Sequence, residues 1–397
     1  MVSSHIIAPP MSARSNSIHP SRKRTGRLRV FWARVTEGLE LEQLWQQFLS
    51  EAKASYQLYS RDVDWKEIEQ DSRRGRRFRR AVWAFFQAVL MKLSPARRVL
   101  LLVAIVLIFQ PSYHSQHGTV TVQLGWISTW ILLLLLVLEL GDRVTMKRDL
   151  EIAREIQQRL VPEIAPIVPG LEIAFVTRPQ NTVAGDYYDS FLRPLPDASG
   201  TQPLLIIVAD VAGKSVPAAL LMATFQASLR ALSTTPAPLS EVISGLDRYT
   251  RAHNMEGLRF TTAFVAQINP RTHEMQYTNA GHNDPILRRA SGKVERLSTG
   301  GPPFGLPLFA DKEVPYDSGT IELHPGDLLF IFTDGLIEAV DDAGREFGEA
   351  KLLGLVAATP RESAKETLER VMAEVKMHVG LARQHDDITC MVLRVDG

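Results

Sequence analysis

In the C-terminal half of this 397-residue chain, runs of strand-forming residues repeatedly adjoin a carboxylate, and that pairing limits what the chain can fold into. In LLIIVAD, residues 204–210, an unbroken aliphatic run suited to a strand covered on both faces ends on Asp210. LLFIFTDG ends in the same way on Asp334, followed by glycine. GDYYD sets Asp186 after a glycine and before an aromatic strand, and HDDITCMVLRV puts Asp386 and Asp387 at the start of the last strand. A single acid at a strand end usually caps a helix or faces water. Several acids on buried strands are different, because packed sheets can bring strand ends together. Clustered carboxylates repel and do not all ionise cheaply near neutrality unless a cation compensates. Hard oxygen donors without His or Cys select Mg²⁺ or Mn²⁺. Two such ions, about 3.5–4 Å apart, can lower the pKa of a water and clamp a phosphoryl group.

The neighbouring segments narrow the architecture. RFTTAFVAQINPRTHEMQYTNAG reads as an antiparallel hairpin. That argues against a receiver-like domain with Asp210 as phosphoacceptor, which needs a parallel βα repeat. GKSVPAALLMA reads as a small-residue helix lying close to a sheet, and it lacks the glycine and Lys-Ser/Thr spacing of a P-loop. The single cysteine, Cys390, excludes an internal disulfide framework and a thiolate metal site, and its setting is that of a small buried hydrophobe in a strand.

The N-terminal part is of another kind. Residues 1–98 carry 19 Lys/Arg against 9 Asp/Glu, although the whole chain has a net charge of only +1. Residues 1–35 read as a disordered basic arm without a secretory signal, and residues 36–96 as a helical, basic, membrane-proximal region. No nucleic-acid-binding motif accompanies the arginines, so nucleic acid is not an expected partner. Two apolar segments follow, Val99 to about Tyr113 and Thr119 to Val137, joined by the uncharged PSYHSQHG. The second approaches the ~20 residues that a helix needs to cross a bilayer, which predicts a two-helix transmembrane hairpin over residues 97–141. Arg97, Arg98, Arg143, Lys147 and Arg148 flank it and place both ends in the cytoplasm. The expected location is therefore the inner (cytoplasmic) membrane, multi-pass, with lipid as a partner and the C-terminal domain in the cytoplasm. Trp126 and Trp130 are candidate interfacial anchors. Residues 142–162 follow as a linker helix, with Met146, Leu150, Ala153, Ile156 and Leu160 on one stripe and Pro162 ending it. The stripe suggests a homodimer that transmits a signal into residues 163–397.

The ordered series AREIQQRLVP, GDYYD, VADVAGKSVPAALLMA, TTAFVAQINP, YTNAGHNDPILRR, GPPFGL, GDLLFIFTDGLIEA and HDDIT resembles the SpoIIE-type phosphatases. These are the bacterial branch of the PPM family of metal-dependent protein serine/threonine phosphatases, which act in partner-switching control of sigma factors. The resemblance implies an α+β fold, an αββα sandwich of two antiparallel sheets with helices outside. It implies two Mn²⁺ or Mg²⁺ ions held by Asp186, Asp210, the Val211 backbone carbonyl, Asp334 and Asp386, with Asp387 as the alternative register. It also offers Arg178 and His282 as substrate-binding candidates. The implied activity is hydrolysis of phosphoserine or phosphothreonine in a regulatory protein, with an anti-sigma-factor antagonist of the STAS type as the expected partner. The alternative is a catalytically silent scaffold that binds the phosphoprotein.

Overall fold

The computed structural model describes residues 74–109, 113–114, 121–122, 125–196, 200–253, 259–306, 314–358 and 362–396. The basic arm, residues 1–35, and residues 36–73 of the membrane-proximal region lie outside the described residues. The chain divides into two units, residues 1–139 and 140–397.

In the first unit, α1 (Arg74–Lys92) and α2 (Pro95–Ile108) precede a two-residue pairing of β1 (Tyr113–His114) with β2 (Thr121–Val122). Helix α3 (Gly125–Gln158) then begins. Ser128 donates to the Ala104 carbonyl at 2.8 Å, and Arg97 pairs with Glu139 at 3.4 Å, which ties α2 to the start of α3.

The expected transmembrane hairpin is not found, since no described helix is long and apolar enough to cross a membrane. Helix α2 has 14 residues, Arg97 and Arg98 among them. Thr121 and Val122, counted toward the second span in the sequence, lie in a strand instead. The uncharged part of α3 runs from Gly125 to Leu138 before Glu139. At about 1.5 Å per residue that is about 21 Å, short of the ~30 Å of bilayer hydrocarbon. The boundary expected between residues 141 and 142 falls inside this one continuous helix.

In the second unit, β3 (Leu171–Arg178), β4 (Tyr187–Leu192) and β5 (Leu204–Val211) lead into α4 (Val216–Leu232) and α5 (Leu239–Ala252). The hairpin of β6 (Thr261–Ile268) and β7 (Glu274–Ala280) follows in the antiparallel register expected. Next come β8 (Ile286–Arg288), β9 (Val294–Arg296), β10 (Gly300–Gly301), β11 (Gly319–Glu322) and β12 (Leu328–Phe332). The short α6 (Asp334–Ile337), then α7 (Glu349–Ala357), α8 (Ala364–Val379) and β13 (Ile388–Val395) complete it.

One sheet has the order β10-β7-β6-β5-β4 with β11 also on β7, and the other the order β3-β13-β12-β8-β9. Pairing is antiparallel throughout except for the two-residue β10 on β7. Strand periodicity sorts the side chains into layers. In β5, Leu204, Ile206 and Val208 join Leu329, Ile331, Met391 and Leu393 in the core between the sheets. Leu205, Ile207 and Ala209 face the opposite way, into a cluster with Met222, Phe225 and Leu246 of α4 and α5. Phe330, Phe332, Cys390 and Val392 likewise pack under Leu368, Val371 and Val375 of α8. The result is the αββα layering expected. Cys390 is fully buried, as its sequence setting suggested.

Candidate active site

The parity that fills the inter-sheet core also aims the acids. Asp210 shares the parity of Leu204, Ile206 and Val208, so it faces the opposite sheet at the end where β5 stops. Asp186, two residues before the inward Tyr188, does the same from the start of β4. From the other sheet, Thr333, Asp334, Asp386 and Asp387 lie at the adjoining ends of β12 and β13. Thr333 bridges the two sheets: its hydroxyl donates to Asp186 Oδ2 at 3.0 Å and accepts from the Thr389 backbone N–H at 3.0 Å.

Electrostatics shows how closely the acids gather. Burial, then the neighbouring Asp210, hold the Asp186 carboxyl well above the usual carboxylate range. Burial, followed by Asp334, Asp386 and Asp387, pushes Asp210 to about 7. Asp334 is raised by burial and by Asp386, and Asp387 by burial foremost. Acids from both sheets thus raise one another across this end of the sandwich.

The two consecutive acids do different work. Asp387 accepts the backbone N–H of Gln180 at 2.6 Å and of Gly185 at 2.7 Å, so it holds the β3–β4 loop next to Asp186. Asp386 Oδ2 meets Lys214 Nζ at 3.0 Å, and Lys214 also donates to the His385 carbonyl at 2.7 Å. Among the described residues Asp386 is held by a half-exposed lysine and the Asp387 N–H, whereas both oxygens of Asp387 are engaged by backbone.

Glycines make the close approach feasible. A Cβ on Gly185 would stand 3.1 Å from the Val211 carbonyl oxygen, and one on Gly335 would collide with the Asp387 carbonyl. The loop after Asp210 is itself strained: Gly213 has φ +120° and Ser215, a non-glycine, φ 65°. Behind the acids, Gln157 near the end of α3 pairs with both backbone groups of Ala184, donating to its carbonyl at 2.7 Å and accepting its N–H at 2.9 Å.

His282 lies apart from any open surface. It is buried, its Nδ1 is 3.0 Å from the Thr262 hydroxyl, and its N–H donates to Asn279 Oδ1 at 2.7 Å. Burial lowers its pKa to about 4, opposed by the Phe332 backbone, so the ring is neutral. Because Thr262 sits directly across from Asp210, the ring braces the strand next to that acid. Arg178, exposed at the end of β3 opposite Ile388, lines a groove shared with Lys214 and Asp386. Sequence reasoning missed Thr333, Lys214, Gln157 and the buried Asp189. Asp189 accepts two bonds from Arg230 at 2.7 and 2.8 Å and one from the Tyr187 hydroxyl at 2.7 Å, which locks α4 to the sheet.

Comparison with known proteins accords with this arrangement. Residues 200–396 match the family model for stage II sporulation protein E, SpoIIE. These residues form a SpoIIE-family domain. The chain is 28% identical over 255 residues to phosphoserine phosphatase RsbU of Bacillus subtilis, covering 64% of this chain and 72% of that one. It is 28% identical over 286 residues to protein IcfG of Synechocystis sp., covering 65% of this chain but only 43% of IcfG, less than half its length. Among solved structures, the SiaA-PP2C domain of Pseudomonas aeruginosa superposes with a TM-score of 0.55 at 20% identity, covering 64% of this chain and 99% of that one. The SpoIIE domain therefore has the PP2C fold.

The donor set fits hard divalent ions in its chemistry, being all carboxylate and carbonyl oxygen at this end of the sandwich. Among the described residues no three His, Cys, Asp or Glu side chains stand close enough to hold one ion as they are placed. Asp386 is paired with Lys214, and both oxygens of Asp387 accept backbone N–H groups.

Proposed function

We propose that this protein is a metal-dependent phosphoserine/phosphothreonine protein phosphatase acting on a small regulatory phosphoprotein, of the antagonist type used in partner switching. The observation that carries the reading is the set of acids from two sheets whose mutual repulsion and burial raise Asp186, Asp210, Asp334 and Asp387 together. A cluster of that kind is stabilised by bound cations. Asp186, Asp210, Asp334, Asp386 and the Val211 carbonyl would hold two Mg²⁺ or Mn²⁺ ions, which supply Lewis-acid activation of water and neutralise phosphoryl charge.

The remaining residues have supporting parts. Thr333 orients Asp186 from the opposite sheet, Asp387 fixes the backbone before it, and Gly335 lets the two acid-bearing turns touch. Lys214, paired with Asp386, would supply positive charge beside the phosphoryl group. The test is phosphate release from an aryl phosphate and a phosphoserine peptide by the full chain, with Mn²⁺, with Mg²⁺ and with chelator. Asp210→Asn and Asp334→Asn should each remove metal-dependent turnover by a factor of about 10² or more. Turnover that survives chelator, or that is unaffected in both variants, refutes the proposal. A folded chain that binds the phosphopeptide but never releases phosphate supports the scaffold alternative.

The protein also acts, on this proposal, at the inner membrane with the SpoIIE domain on the cytoplasmic side. Support comes from apolar side chains left open to solvent on α2 and the start of α3, including Val99, Phe109, Trp126, Trp130 and Leu136, beside the basic helix α1. Flotation of the full chain with anionic vesicles, and failure to float without them, is the check. Homodimerisation through the linker part of α3 is likewise proposed, because Met146 and Ile156 of its stripe are more than half exposed.

A further inference from the structure

A small groove opens beside the acid cluster, and the chemistry above uses only the edge formed by Lys214, Gly335 and Asp386. Its volume is about 200 Å³, and Gly335 and Asp386 form the edge it shares with the site. The rest of its rim is rich in cations: Arg178 from the end of β3, Lys214 from the loop after β5, and Lys376 from the last turn of α8. Lys214 is engaged with Asp386. Neither Arg178 nor Lys376 makes an ion pair with a described carboxylate, although Glu338 also lines the groove.

Size and placement define the occupant. A volume of 200 Å³ lies below the ~300 Å³ at which small-molecule sites begin, so the groove accommodates one side chain and not a cofactor. Valines 375 and 379 and Ile388 give it an apolar floor suited to the methylene stem of that side chain. Arg178 and Lys376 also border a second, open groove of about 740 Å³ along β3 and α8.

We propose that this groove is a specificity subsite that takes an acidic side chain, Glu or Asp, flanking the phosphorylated residue of the substrate, with Lys376 and Arg178 as its counter-charges. The assignment rests on the phosphatase reading for its place beside the reaction, but its own basis is the unpaired cations around a side-chain-sized cavity. It makes the preferred substrate an acidic phosphopeptide segment.

The experiment uses the full chain and phosphoserine peptides in which Glu, Gln, Lys or a second phosphoserine stands in turn at each flanking position. Turnover is measured with Mn²⁺, and binding is measured by fluorescence anisotropy in chelator. At one flanking position Glu should be preferred over Gln by about fivefold in both kcat/KM and Kd, the upper end for a half-exposed ion pair. Lys376→Ala should remove the preference and Lys376→Glu should invert it toward Lys, with aryl phosphate turnover unchanged in each. Salt should weaken the preference as it screens the pair. Equal handling of Glu and Gln by the unmodified protein, or a preference that survives both Lys376 variants, overturns the proposal. Preference for a second phosphate alone overturns the carboxylate assignment. If no phosphate ester is hydrolysed but the anisotropy preference is present, the phosphatase reading fails and the subsite stands.

Discussion

Replacing Gln157 tests whether the linker end of α3 helps to place the first carboxylate. Its amide closes a two-bond clasp on Ala184, two residues before Asp186, at 2.7 and 2.9 Å. Ala184 is only 6% exposed, so in Gln157→Ala water cannot readily replace both lost partners. A neutral hydrogen bond contributes about 1 kcal/mol net, and a buried backbone group left unpaired costs about 1–3 kcal/mol. Two such groups make the clasp worth about 2–6 kcal/mol, part of which relaxes as the helix end undocks. If about half of it positions Asp186, the Mn²⁺ concentration for half-maximal aryl phosphate turnover should rise roughly tenfold, since about 1.4 kcal/mol is a factor of ten. The maximal rate at saturating metal should largely recover. Gln157→Glu keeps the acceptor for the Ala184 N–H but loses the donor to its carbonyl, so it should also shift the midpoint. An unchanged midpoint and unchanged urea stability in Gln157→Ala would refute the clasp. A fall in maximal rate with the midpoint fixed would refute its role in placing the acid.

Three other outcomes are expected. Gly335→Ala forces a Cβ into the Asp387 carbonyl, so it should lose about 1–3 kcal/mol of stability by overpacking, read by urea denaturation, together with turnover. In chelator, Asp210, with a folded pKa of about 7 against an unfolded value near 4, binds more protons folded than unfolded. Its contribution is complete below about pH 4 and disappears as pH rises through about 7, so urea midpoints should fall over that window and Asp210→Asn should flatten the profile. Finally, Leu150→Asp with Ile156→Asp should disrupt self-association measured by sedimentation, or alter turnover; no change in either removes the dimer proposal.

Much of the second unit was legible because strand periodicity is a local property. The β6–β7 hairpin, the burial of Cys390 and the place of Asp210 at a strand end all follow from the residue pattern along one segment. The two apolar segments misled for a related reason. Hydropathy counts residues without knowing where a helix begins, and the described helix starts at Gly125, with Thr121 and Val122 in a strand. The roles of neighbouring Asp386 and Asp387 were not legible either. Each depends on a partner far along the chain, Lys214 for one and Gln180 with Gly185 for the other.

By itself, then, the sequence determined several strands and which acids would stand at their ends, since buried aliphatic runs specify a core, while the layers were implied by the family resemblance. Only the tertiary structure decided which acids share a field and which oxygens are already engaged. It also decided that His282 braces a strand, that Gln157 clasps the segment before Asp186, and that Arg178 and Lys376 border one groove. Those facts arise from contacts between segments up to some two hundred residues apart, such as Gly185 with Asp387, and no local pattern encodes such a contact until both sheets are packed.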